Sequence, residues 1–145
     1  MILIDQPSED NDRFKIAKIQ FRILAFIIDF LIYFIIAFIV GIFYGTPNDS
    51  AGYNINGLPA ILLFVVGLIL WPISEAISGQ TIGKRFTDLK VVTNNYKEIS
   101  LGQAIGRFII GFFDYLFLIG IIVAVMNKQN KRLGDLAANT LVIRK

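Results

Sequence analysis

The chain of 145 residues contains no cysteine and no histidine. Disulfides, thiol catalysis, haem ligation and iron–sulfur clusters therefore lack their ligands or their nucleophile. A zinc site would have to be assembled from carboxylates alone, against the preference of that ion for nitrogen and sulfur. Any proton chemistry falls to Asp, Glu, Lys or Tyr, because histidine switching is absent. No cofactor and no metal is expected. Charge is also scarce, at 17% of residues, against roughly a quarter in an ordinary soluble domain. Hydrophobic residues reach 55% and the mean hydropathy is +0.65. Disorder, which needs little hydrophobicity and much charge, is excluded.

What remains is a chain long enough for one domain, rich in Phe and weakly basic. The net charge is +3, with fourteen Lys and Arg. Twelve of these fourteen lie outside the long apolar runs or at their edges. Flanking bases of this kind meet anionic lipid headgroups, so membrane lipids, not nucleic acid, are the expected partners.

Residues 1–20 are polar and lack the apolar core and cleavage pattern of a signal peptide. A short amphipathic helix is expected there, near Phe14, Ile16, Ala17 and Ile19. The first apolar run, 21–44, has Arg22 at its start, and Asp29 is the only charge from Ile23 to Tyr44. As helix that stretch is about 33 Å long, enough for a hydrocarbon core of roughly 30 Å. A Gly-, Asn- and Pro-containing loop, 45–58, follows. The second run, 58–77, opens near Pro59, should kink at Pro72, and carries Glu75 beyond the kink. Loop 78–102 holds four bases and loop 45–58 none, which places the former and the N-terminus in the cytoplasm.

The third apolar segment, 104–126, contains Arg107 and Asp114. Ser100 and Gln103 form a capping-box pattern ahead of it. As a single span it would put the tail 127–145, with five bases, outside, against the charge rule. A broken or re-entrant segment hinged around 114–120 keeps the tail inside. Val91–Val92 and Leu141–Val142–Ile143 suit a short cytoplasmic strand pair. The expected fold is thus an all-α integral membrane protein: two transmembrane helices, a third helical segment that either spans or is broken, and a short strand pair.

The charges within apolar segments carry the chemistry. Asp29 lies about 10 Å into its helix, where a carboxylate must face protein or water. Arg107 is the expected partner of Asp29, and Asp114 that of Arg22. Two readings follow. Asp29, Asp114 and Glu75 line a path for a ligand or small cation, or the same charges form ion pairs that fix helix packing. Lys84, Arg85, Lys131 and Arg132 suit headgroup contacts or ion pairs. Asp88 and Asp135 each follow a Lys-Arg pair by three and either pair with it or hold a turn. Residues 80–85 lack the phosphate-loop pattern. No activated nucleophile or paired-carboxylate site is visible, so an enzyme is not expected.

The sequence also echoes itself. Arg22 and Asp29 are seven apart, as are Arg107 and Asp114, and KRFTDL (84–89) matches KRLGDL (131–136) at four of six positions. Internal repeats are common in transporters.

These motifs together resemble the RDD family of bacterial membrane proteins. FRILAFIIDFLI carries the family arginine at Arg22 and the first aspartate at Asp29. GQTIGKRFTDLKVV looks like the cytoplasmic signature, and KRLGDLAANTLVIRK looks like the closing one, with the final aspartate at Asp135. Asn139 stands where Gly is more usual. The resemblance implies a multi-pass protein of the bacterial inner membrane, with transport of a small ligand or cation, of the Na⁺/H⁺ exchange type, suggested for the family. So short a chain would transport as a homo-oligomer or with another membrane subunit. The alternative is a structural or regulatory membrane subunit held together by Arg/Asp pairs.

Overall fold

The structure, a computed structural model, describes the backbone of residues 15–50, 52–117, 119–126 and 128–145, and their side chains outside 113–121. A two-residue strand, β1 (Lys15–Ile16), leads into the long helix α1 (Ile19–Tyr44). The helix expected around Ile16 and Ala17 is therefore extended chain. The Ala17 N–H donates to the Val142 carbonyl at 3.0 Å. A ready strand edge satisfies this backbone, whereas a few residues cannot nucleate a helix.

Helix α1 is inside-out relative to a helix of a soluble protein. It buries Arg22, Ala25, Asp29 and Gly41, and exposes Phe30, Phe34, Phe38 and their apolar neighbours. Such a surface is untenable in water and suits lipid, where the backbone is bonded within the helix. A short hairpin, β2 (Thr46–Pro47) with β3 (Tyr53–Asn54), follows. The second long apolar stretch is α2 (Leu58–Leu68), a π-helical turn (Ile69–Ile73) and α3 (Ser74–Ser78). Pro72 sits inside that turn. Having no N–H, it cannot continue the α ladder, and the wider turn re-routes the bonding. Ser74 Oγ donates to the Ile69 carbonyl at 2.8 Å.

Both stretches, Ile19–Tyr44 and Leu58–Ser78, are long and apolar enough to cross a bilayer. The remainder consists of α4 (Ile82–Phe86), β4 (Leu89–Thr93), α5 (Leu101–Phe117), α6 (Ile119–Met126), α7 (Leu133–Ala137) and β5 (Thr140–Arg144). Ser100 and Gln103 open α5 with reciprocal bonds: the Gln103 N–H donates to Ser100 Oγ at 3.2 Å, and the Ser100 N–H to Gln103 Oε1 at 3.0 Å.

The three strands form one antiparallel sheet in the order β1-β5-β4. Alternation sends Leu89, Val91 and Val142 into the main core with Ala17, Ala25, Ile99 and Ala104. Val92, Leu141 and Ile143 face the other way, against Tyr96. The sheet draws together chain from before α1, from between α3 and α5, and from the C-terminus.

The internal repeat has a structural form, but not in the register of its letters. Each copy is a short helix, one residue in the left-handed region, then a strand. The left-handed residues are Asp88, at φ 54°, and Asn139, at φ 53°. They stand 51 positions apart, whereas the KR–DL match aligns residues 47 apart, off by about one helical turn. In the 51-residue register Val91 is equivalent to Val142, and these two pair with each other. Leu89 pairs with Arg144 and Thr93 with Thr140. The β4–β5 pair is therefore pseudo-two-fold about Val91 and Val142. The left-handed position also accounts for Asn139 where Gly is more usual, since Asn follows Gly in tolerating that conformation.

Candidate functional site

The site lies where the two short helices press on the long ones. Gly83 of α4 meets α1 so closely that a Cβ at that position would stand 2.0 Å from the Ala25 carbonyl oxygen. Gly134 of α7, its equivalent, approaches α5: a Cβ there would stand 3.0 Å from the Arg107 carbonyl oxygen. The contacts thus match Ala25 with Arg107, so Arg22 and Arg107 are not equivalent, contrary to the seven-residue spacing.

Asp29 is buried and held by α4. It accepts from the Thr81 hydroxyl at 2.5 Å and from the Gly83 N–H at 2.6 Å. The expected partnership with Arg107 is not formed. Arg107 instead bridges two other acids: its Nε donates to Glu75 at 3.2 Å, and its Nη1 is bonded to Asp135 and, at 2.5 Å, to Thr140 Oγ1. Close approach of α4 to α1 gives both carboxylate oxygens of Asp29 donors from α4 and its N-cap in place of a guanidinium. Arg22 reaches Asp135 at 2.5 Å and donates to the Asn130 carbonyl at 2.5 Å. Its expected partner, Asp114, lies outside the described side chains. Lys84 donates to Glu75 at 2.5 Å.

The buried charges therefore alternate in a chain: Lys84, Glu75, Arg107, Asp135, Arg22. Burial favours the neutral form of Asp135. The charges of Arg107 and then Arg22, with the Arg132 N–H at 2.9 Å, outweigh it and hold this carboxyl well below the usual carboxylate range. Other charged residues have contacts of their own. Arg85 Nη2 donates to Ser78 Oγ at 3.2 Å, and Lys131 Nζ to Asn94 Oδ1 at 2.7 Å. Asp88 holds the turn between α4 and β4, and Arg132 the N-terminus of α7. Among the described residues, no three His, Cys, Asp or Glu side chains gather in the manner of a metal site.

Thr81, Gly83, Gly134 and Thr140 join this site without having been singled out by the sequence. Thr81 carried a usable signal: a β-hydroxy residue directly before a short basic helix is a standard N-cap, and its hydroxyl accepts from the Lys84 N–H at 3.3 Å.

Beside the ion pairs is a cavity of about 890 Å³, open on the side of the exposed Phe30, Phe64 and Phe112 and within the 300–1,000 Å³ typical of small-molecule sites. Its polar end is lined by Arg22, Asp29, Glu75, Lys84, Arg107, Arg132 and Asp135. Its walls are aromatic, with Phe26, Phe30 and Tyr33 from α1, Phe64 and Trp71 from the second stretch, and Phe108 and Phe112 from α5. Tyr33 and Trp71 have ring centroids 5.2 Å apart, and Trp71 and Phe108 stack at 6.1 Å.

Two long apolar helices, with their charges turned inward onto a layer of short helices and strands, define a small membrane domain. The chain matches the RDD family over residues 16–139 and belongs to it; it is a membrane protein. No curated protein and no solved structure matched the chain.

Proposed function

We propose that this chain acts as a structural or regulatory subunit of the bacterial inner membrane, its ion-pair network fastening the strand layer to the membrane helices. One observation carries the reading. Each acid of the described network is already engaged: Asp29 by α4, Glu75 by Lys84 and Arg107, Asp135 by Arg22 and Arg107. A buried carboxylate so occupied is costly to strip for a passing cation, and breaking such a pair typically costs about 3–5 kcal/mol. The strand layer, on this reading, is cytoplasmic. The sheet shared by β1, β4 and β5 supports a re-entrant third segment, since it holds the strand before α1 and the strand after α7 on one side. The subunit assembles with another copy of itself or with a second membrane protein.

The cavity favours a second reading, transport of a small ligand or cation, because Asp29 and Glu75 line it. Purified protein in sealed vesicles separates the two. Under defined Na⁺, K⁺ and H⁺ gradients, the structural reading expects no flux. It also expects Asp135→Asn to lower abundance or partner co-purification. Saturable flux by the wild-type chain, abolished by Asp29→Asn at unchanged abundance, would overturn it in favour of transport.

A further inference from the structure

The aromatic cavity is not used by the structural reading, and the hydrogen-bond balance at its polar end is uneven. All six oxygens of Asp29, Glu75 and Asp135 accept at least one bond. The donors are not matched in the same way. Lys84 has three Nζ protons and gives one to Glu75. Among the described residues the cavity lining holds four cations, Arg22, Lys84, Arg107 and Arg132, against three carboxylates, Asp29, Glu75 and Asp135. Buried donors normally find acceptors, and Lys and Arg can only donate. The balance of the described lining is therefore cationic and suits an anionic acceptor, whereas an ammonium head would meet carboxylate oxygens that are already engaged.

The order along α1 adds a direction. Along α1 the lining residues run Arg22, Phe26, Asp29, Phe30 and Tyr33, with both charged groups in the first part and the last two positions aromatic. From Arg22 to Tyr33 is about 16 Å. The polar end thus lies at the membrane interface and the aromatic walls run towards the bilayer interior. This is the orientation of an amphiphile already in the membrane, head at the interface and chain inward.

We propose that the cavity binds a single-chain amphiphile with an anionic head, a carboxylate or a phosphate, its head on Lys84 and Arg107 and its chain against Trp71, Tyr33 and Phe108. The inference goes beyond the structural reading and survives its failure, since it concerns occupancy and not flux.

Trp71 is the chain's single tryptophan, so its emission reports the cavity directly. Full-length protein in detergent is titrated with brominated eighteen-carbon chains bearing four heads: carboxylate, lysophosphatidate, neutral alcohol and primary amine. The expected result is saturable quenching by at least one anionic chain, with half-saturation about tenfold lower than for the alcohol and the amine. Whether carboxylate or phosphate is preferred identifies the source of the head. Gly67 supplies a blocking variant, because a Cβ there meets Trp71 at 3.5 Å and Tyr33 at 3.6 Å, ordinary contact at the cavity wall. Gly67→Leu fills the space and should abolish saturable quenching. Equal quenching by all four heads, a preference for the amine, or quenching that never saturates overturns the assignment. The wild-type comparison of heads decides it alone if Gly67→Leu does not fold.

Discussion

Val91 pairs with Val142, and each occupies the same place in its own helix–turn–strand unit. The two units meet across this pair, and each presses its short helix onto a long one through a glycine. The two glycine contacts differ in tightness. Gly83 leaves its would-be Cβ 2.0 Å from backbone oxygen, and Gly134 leaves 3.0 Å. Gly83→Ala must push α4 off α1, and with it the two hydrogen bonds that hold Asp29. A cost of about 3 kcal/mol or more is expected, at the upper end for overpacking. Gly134→Ala needs only a small shift and should cost about 1 kcal/mol. Thermal unfolding in detergent checks the order; equal effects would mean that α4 is less closely seated than described.

The two aspartates of the family pattern should also differ. Asp135 lies between two buried arginines, and Asp135→Asn leaves them with one formal charge too few. A loss of about 3–5 kcal/mol is expected. Asp29 meets only neutral donors. In Asp29→Asn the amide oxygen can still accept from the Gly83 N–H, and the Thr81 hydroxyl can turn to accept from the new NH₂. A cost of about 1 kcal/mol is expected, that of one hydrogen bond rearranged. Paired melting curves of the two variants, with abundance in membranes, test this ranking.

How far these relationships were legible in the sequence depended on their range. The runs 21–44 and 58–77 announced themselves because each is long enough as helix to cross a bilayer and carries at most two charges. Pro72 marked an irregular turn, which the structure shows as π-helical, and Val91–Val92 and Leu141–Val142–Ile143 marked strands by composition. The ion pairs were not legible. Arg22 and Asp135 are 113 positions apart, and several bases could have served either acid. Arg107 was assigned to Asp29 because both lie in apolar segments, but only the seating of Gly83 on Ala25 shows that Asp29 is already enclosed by α4. The repeat is visible as letters but misaligned by a helical turn, because the matching letters fall at unlike places, Leu89 on a strand and Leu136 on a helix, while the structural equivalence runs through Gly83, Gly134 and the left-handed Asp88 and Asn139.

Acid should weaken the fold through Asp135. Its folded pKa lies below its unfolded value, which is about 3.9, so its contribution is fully present above that value and is lost as pH falls through it towards the folded pKa. The gap between the melting temperatures of wild type and Asp135→Asn, measured from pH 6 down to about pH 3, should narrow as acid begins to remove what the variant already lacks. A constant gap between the two curves would show that Asp135 does not titrate differently on unfolding.

The sheet makes a prediction about sidedness that the third apolar segment alone does not. Lys97 lies beside β4, its carbonyl accepting from the Thr93 N–H at 2.9 Å, and the Lys145 N–H donates to the Asp88 carbonyl at 2.8 Å. Asp49 sits in the loop between the two long stretches. The chain has no cysteine, so single cysteines at 49, 97 and 145 can each be labelled without background. In sealed right-side-out vesicles an impermeant maleimide should label position 49 alone, and positions 97 and 145 should react together only after permeabilisation. If 145 labels with 49 and not with 97, β5 cannot pair with β4 in the membrane, and the two-fold unit built on Val91 and Val142 is wrong.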